Sequence, residues 1–544
     1  MRGKLTLLIT SMLLMGCGQN AVRDTQPSLT AVTTGVVDLA TATAEAKPTA
    51  LPTATENSAA TSTEGNDPQP LTEASKTTYP APTEPSPTSA DPVSAVSPSP
   101  AIEPQLQESP LPASPAKVSP ATVQPADVRV YETNVTIPTY NYEAAFQPTN
   151  EGDSIYPYPR LDFGQVGGAS PRTYKAVVLE NGYVSVTVLP ELGGRVYRWK
   201  DKATGRELLY QNPVIKPTNW GYRGWWLAAG GIEWTFPVED HGLNEWRPWS
   251  YSKDSNSVTV SNVEDHTGME VGATISLSAN DAIMTIQPWV RNNTGSAQQY
   301  QLWLNAMLAL SNNSVSAQTQ FILPANEVVV HSTGDGGLPD SGGTISWPVH
   351  DGRDMSYYGN WGNYLGFFAS TGGGFSGLYD HSNDQGMVRA FSPGWPAGTK
   401  IFGPATLSPS LWTDDGSNYV EMWSGATDSF WDYATLEPGQ TVSWNEYWYP
   451  VHGLGGYNFA NRVAALHLND TGGGADVGLA VSAPVSGKLT LWAGNEAVAS
   501  WPVNMGPGQA LQASWSRPSG QDGPLGLRFE GSDGVVLAQM GQFQ

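Results

Sequence analysis

Histidine set beside carboxylates is the combination best able to pass a proton near neutral pH, and two stretches of this chain supply it. In the first, Gly230-Gly231-Ile232-Glu233-Trp234 is followed closely by Glu239-Asp240-His241-Gly242. In the second, His350-Asp351-Gly352-Arg353-Asp354 precedes Tyr357-Tyr358. Two further glutamates lie in aromatic, strand-like runs: Glu421 in Tyr419-Val420-Glu421-Met422-Trp423, and Glu446 within Trp444 to Tyr449. A glutamate flanked by indoles on a strand is either buried for a purpose or, more commonly, turned to solvent on a half-exposed face. Each histidine taken alone is more often a loop residue with its hydrogen bonds met than a catalyst.

The aromatic side chains sharpen the choice of chemistry. All 20 tryptophans lie at or after Trp199. Trp220, Trp225, Trp226, Trp234, Trp246, Trp249, Trp361 and Trp395 sit among Gly, Pro and polar residues rather than in strict alternation. Aromatic faces in a cleft give rigid contact area and keep a polar edge for hydrogen bonding. A pyranose suits such faces, offering C–H patches for stacking and hydroxyls for Asp, Glu, Asn and Arg. The plainer alternative is a large sandwich filling its core with indoles.

Such groups need a rigid scaffold, and the chain from Val128 onward reads as one. Tyr183 to Leu189, Ser257 to Ser261, and Thr274 to Leu277 answered across Asn280-Asp281 by Ile283 to Val290 all alternate apolar and polar residues, the pattern of strands with one buried face. Turn signals separate them, including Asn181-Gly182, Asp201-Lys202, Asp351-Gly352 and Gly372-Gly373-Gly374. No sustained helical spacing follows Val128. Many strands joined by turns predict an all-β chain built as a large antiparallel sandwich. A glycine cluster at Gly453 to Gly456 marks a change of style. Beyond it, Lys488 to Trp492 returns through Gly494-Asn495 to Ala497 to Trp501, predicting a small β-sandwich over 457–544, of a kind more often structural or docking than catalytic.

The N-terminus carries a different message. Met1, Arg2, Gly3 and Lys4 lead into an apolar run from Leu5 to Met15, then Gly16-Cys17, the order of a secretory signal. Leu14-Met15-Gly16-Cys17 resembles a lipobox, which predicts cleavage and lipidation at Cys17 and places the chain on the extracellular face of the membrane, held by that lipid alone. Cys17 is the sole cysteine, so no disulfide forms within the chain. Residues 18–127, rich in Pro, Thr, Ser and Ala and lacking Trp, predict a disordered tether with a reach from about 60 Å as a coil towards about 300 Å when extended. A net charge of −23 and an isoelectric point near 4.6 argue against a nucleic-acid partner.

Several strong motifs are absent: HExxH, a Walker loop, GxSxG, paired CxxC, and GxGxxG at a strand-to-helix turn. Asp380 to Gly386 (DHSNDQG) is superficially similar to a calcium loop, but it lacks the closing Glu and its Gly is misplaced. No cofactor is expected, and bound calcium has no clear motif behind it.

Four ordered blocks carry a family resemblance: Glu180 to Pro217, Gly230 to Pro237, His350 to Phe368 and Phe430 to Val451. They resemble the bacterial family called domain of unknown function 5107, over about 128–456. That family often carries tetratricopeptide repeats after the domain, and none is visible here. The opening from Asn181 through Arg195 and Val196 is also similar to aldose 1-epimerases. This second resemblance implies a galactose-mutarotase-like β-supersandwich that binds sugars on a concave sheet, and whose members include mutarotases, glycoside hydrolases, lyases and non-catalytic binders. In the epimerases an Arg, two His and a late Glu line the pocket in chain order, an order matched here by Arg195, His241, His350 and Glu421.

Together these readings make Glu421, His241, His350 and Glu233 the candidate proton-transfer or nucleophilic groups. Arg195, Trp225, Trp226, Trp234, Arg353, Asp354, Tyr357, Trp361 and Trp423 are the candidates for holding substrate. The function expected is that of a cell-surface carbohydrate-active enzyme, hydrolase-like or epimerase-like. A non-catalytic carbohydrate-binding lipoprotein is the alternative, and a structural or adhesion module the third reading.

Overall fold

The computed structural model of the protein describes residues 114–119, 123–238 and 241–541. The signal segment with Cys17, the expected tether up to residue 113, and Glu239 and Asp240 lie outside the described residues. Among those described there are strands and a few single 3-10 turns, with no α-helix. The chain is all-β, as its alternation predicts.

Two sheets, of thirteen and nine strands, make the larger part. The expected strands appear as Val184–Leu189, Ser257–Val263, Glu270–Ser276 and Met284–Arg291. Pairing is antiparallel almost throughout, with one parallel contact between Thr139 and Ile215. One continuous core joins the sheets: Val186, Ile232, Trp234, Leu304, Ile401 and Met422 from the thirteen-stranded sheet meet Val260, Ile275, Ile286, Met387 and Trp448 from the nine-stranded one.

Period-two alternation then decides what the other face of the large sheet carries. In the Ile232–Thr235 strand, Ile232 and Trp234 enter the core, so Glu233 must point away from it. In the Val420–Gly425 strand, Met422 enters the core, which turns Glu421 and Trp423 to the opposite face. The turn before Ile232 depends on glycine: Gly231 has φ +76°, and a Cβ there would lie 2.3 Å from the Val196 carbonyl oxygen. That close approach lets Ile232 pair with Val196 and brings Glu233 alongside Arg195.

The strands from Phe459 onward form two smaller sheets around their own core, which includes Leu466, Leu479, Leu489, Trp501, Leu511 and Phe529. Part of the expected tether belongs here. Lys117–Val118 is an edge strand, Lys117 pairing with Gln512 and Val118 with Leu511. The Ser114 and Ser119 amides donate to the Ser514 and Ala510 carbonyls at 3.0 and 3.1 Å. The prediction of disorder through 127 therefore fails for residues 114–119. Backbone pairing with an open sheet edge requires no large apolar side chain, so composition could not reveal it.

Candidate functional site

Register across the large sheet sets one row of side chains on the face away from the core. Glu233 is opposite Asn305, Asn305 opposite Trp423, Trp423 opposite Lys400, and Lys400 opposite Phe368. Glu421 stands in the neighbouring row, between Met307 and Phe402. Loops cover this face, leaving Glu233 1 % and Glu421 3 % exposed.

Glu233 anchors the polar end. His241 Nδ1 lies 2.7 Å from its Oε1, the Trp226 indole N–H donates to Oε2 at 3.1 Å, and Asn305 Nδ2 donates to Oε1 at 3.2 Å. Trp226 also stacks on the His241 ring, with centroids 3.9 Å apart and planes 18° from parallel. One carboxylate and one indole thus fix the imidazole in both position and tilt. Arg195 donates to the Gly230 carbonyl at 2.6 Å, and its Nη2 stands 3.6 Å from Glu233. Among the described residues, Arg195 Nη2 and Asn305 Oδ1 are buried with no hydrogen-bond partner, a donor and an acceptor that a polar ligand would satisfy.

Glu421 lies beyond Trp423, whose indole N–H donates to it at 2.8 Å. The Lys400 ammonium sits over the Trp423 and Phe430 rings at 4.4 and 4.7 Å, and the Trp423 ring is 5.9 Å from His241. The surroundings shift the two carboxyls in opposite directions. Burial works against the Glu233 anion, but His241, Arg195 and the Trp226 N–H outweigh it and hold that carboxyl below the usual range. Burial pushes the Glu421 carboxyl up; Lys400, His241 and the Trp423 N–H oppose the rise, and the Glu233 charge adds to it. A pair of acids driven apart in this way is suited to two different roles at one centre. Its contact with the His241 ring nitrogen places Glu233 to orient that imidazole.

Of the sequence-derived candidates, Arg195, Trp226, Glu233, His241, Glu421 and Trp423 therefore come together, and the others do not. Trp234 points into the inter-sheet core and donates to the Gly194 carbonyl at 3.1 Å; being adjacent to Glu233 on a strand, it could not share its face. Trp225 packs with Tyr142 and Phe146 under the Arg223 guanidinium, 3.5 Å from its ring centroid. Trp361 stacks on Phe321 at 5.0 Å inside the core. His350 is paired with Arg353 in a two-stranded hairpin, where it neighbours Ser346 and Asp351. Arg353 pairs with Asp335 at 2.7 Å, Asp354 accepts from Ser356 at 2.7 Å, and Tyr357 meets His381. Asp380, first residue of the calcium-like stretch, accepts from Ser316 and Ser382, both at 2.7 Å. Among the described residues no group of three or more His, Cys, Asp or Glu is arranged to hold a metal ion.

A second histidine, His331, lies near Lys400 and was not singled out by the sequence. It falls at a bulge in the Glu327–Thr333 strand, between Val330 and Ser332, and a bulge re-aims the side chain it carries. Its ring stands 5.2 Å from Phe368 and 5.1 Å from Phe430. Burial, then Lys400, hold it well below the usual imidazole range. Lys400 and Asn305 were missed as well. The available signal was a long polar side chain inside an otherwise largely apolar strand, Lys400 in GTKIFG and Asn305 in WLNAML.

Beneath Trp423, a buried pair ties the sheets together. Arg389, on the nine-stranded sheet, donates to the Trp423 carbonyl at 2.8 Å and to Thr399 at 2.5 Å, and its Nε is 4.0 Å from Glu446. Glu446 accepts from the Trp444 and Trp448 indoles at 2.7 and 3.1 Å, and from the Ser424 hydroxyl. Glu446, buried with a full set of donors, acts on the site only through the strand that carries Trp423 and Glu421.

With this geometry, comparison with known proteins places the chain among relatives. It is similar to a tetratricopeptide-repeat-containing protein from Parabacteroides distasonis, at 26% identity and a TM-score of 0.52. That match covers 60% of this chain and 56% of the other, so the chain spans little more than half that protein's length. More distant similarities include a galactose mutarotase related enzyme from Lactobacillus acidophilus (11% identity, TM-score 0.38, 51% of this chain and 97% of the other). Another is a galactose mutarotase-like protein from Clostridium acetobutylicum (14%, 0.37, 51% and 96%). Residues 150–451, more than half of the sequence and all of the strands that carry the site, match the family described as domain of unknown function (DUF5107), and the chain belongs to that family.

Proposed function

We propose that this protein is a carbohydrate-active enzyme that moves protons to and from the oxygens at a sugar's anomeric centre, with Glu421 as base and His241 as acid. The observation that carries the reading is the placement of a buried carboxyl, Glu421, and an imidazole held in orientation by Glu233, His241, on either side of the Trp423 ring. Acid and base catalysis at a sugar needs two groups of opposite protonation. Glu233 keeps His241 in one orientation, while Trp226 and Trp423 supply aromatic contact and Arg195 and Asn305 supply an unmet donor and acceptor suited to hydroxyls. Proton NMR of the whole chain incubated with free aldoses and glycosides tests this. Conversion of any sugar, as a changed anomeric signal or a released product, is the expected result. Binding without conversion would leave a carbohydrate receptor, and binding of no saccharide would overturn the reading.

We also propose that the chain works outside the cell, anchored by lipid at Cys17. The lipobox-like order Leu14-Met15-Gly16-Cys17 supports this. Cys17→Ala should move the protein from the membrane pellet to the soluble fraction of the producing cells, and intact-mass analysis should show the acyl mass disappearing. A Cys17→Ala chain that stays in the pellet would remove the anchor.

A further inference from the structure

The row of site side chains continues past Lys400 into a group of aromatics that the proton-transfer reading leaves without a role. Phe368, opposite Lys400 in register, is 5.4 Å from Phe430 and 5.2 Å from Trp431. His331 lies against all three, its ring 6.4 Å from Trp431 and 28° from parallel. Trp431 is 51% exposed, whereas Phe368 and Phe430 beneath it are buried. Phe368 meets its ring edge-on and His331 lies nearly parallel to it, while about half of the residue stays open to solvent above them. Phe430 joins this end to the proposed centre, lying 5.1 Å from Trp423 and under the Lys400 ammonium.

Distance decides what this end serves. From Glu233 to Phe368 the row crosses four strand intervals, about 19 Å at normal strand spacing, which is longer than one pyranose ring. His331, kept neutral by burial and by Lys400, offers a hydrogen-bonding edge beside an open indole face, the combination that holds a sugar ring by stacking and a hydroxyl contact. We infer that His331, Phe368, Phe430 and Trp431 form a second sugar subsite, and that the substrate is a glycan or glycoside of at least two units rather than a free monosaccharide. The inference rests on the carbohydrate reading above and adds the size of the substrate to it.

Titration calorimetry of the whole chain separates the two. The probes are methyl β-glycosides of glucose, galactose, mannose and N-acetylglucosamine, and disaccharides carrying each of these at the non-reducing end. The expected result is tighter binding of a disaccharide than of its matching methyl glycoside. Trp431→Ala should weaken the disaccharide about ten-fold and leave the methyl glycoside within about two-fold, and Trp431→Phe should restore most of the loss. Trp431 is exposed, so neither change threatens folding. Disaccharides that bind no tighter than methyl glycosides, or a Trp431→Ala loss equal in both sets, would overturn the subsite and leave the carbohydrate reading standing. A parent chain that binds neither set would overturn both.

Discussion

Glu421→Gln is expected to leave the fold and saccharide binding intact while lowering turnover by about 10²- to 10⁴-fold, the contribution typical of a positioned acid or base. Glutamine keeps the shape and an oxygen for the Trp423 indole to donate to, so the aromatic contacts survive, and what is lost is the ability to take a proton. The pH dependence supplies a second readout. Burial holds the Glu421 carboxyl above the usual range against the pull of Lys400 and His241. A base works only once ionised, so kcat/KM should rise as pH climbs through that elevated pKa rather than through the ordinary glutamate value near 4.5. In Glu421→Gln this acid-side limb should vanish from the residual rate. Steady-state rates across pH, with circular dichroism as the folding control, check both statements, and unchanged turnover would take Glu421 out of the mechanism.

The largest stability effect is expected at Glu446. Replacing it with Leu removes the acceptor of the Trp444, Trp448 and Ser424 groups and leaves the Arg389 guanidinium buried beside an apolar side chain. Breaking a buried pair by removing one partner costs about 3–5 kcal/mol, chiefly because the remaining charge is stranded out of water. Replacing both partners avoids the stranded charge. Arg389→Met with Glu446→Leu should therefore recover much of the loss, which makes the two changes strongly non-additive. Urea unfolding followed by tryptophan fluorescence measures all three variants. A Glu446→Leu chain as stable as the parent would show that the pair does not bear on the fold.

The fold was far more legible in the sequence than the site, and the reason is range. Alternation is a local signal, so strands such as Ser257–Val263 and the hairpin of Glu270–Ser276 with Met284–Arg291 could be read directly. The same period-two rule separates Glu233 from Trp234, and applied residue by residue it excludes that indole from the site. Proximity along the chain misled elsewhere: His350 keeps company with Arg353 and Asp354, but their hairpin partners are one another and local loops. The site itself is assembled by register across strands far apart in sequence. Asn305, Lys400 and His331 each look ordinary where they stand, and the last is aimed only by a bulge. Residues 114–119 were misread because main-chain pairing at a sheet edge leaves no trace in composition.

That edge strand has a mechanical meaning. Any pull reaching the folded chain from its N-terminal side first meets the rungs between 114–119 and Ala510–Ser516, together with the Trp501 and Gln509 side chains that clasp Ser114 and Ser119. Tension is thus borne by the small C-terminal sandwich before it reaches the strands bearing Glu233 and Glu421. A force entering there would strain this strap while the large sheets stay slack.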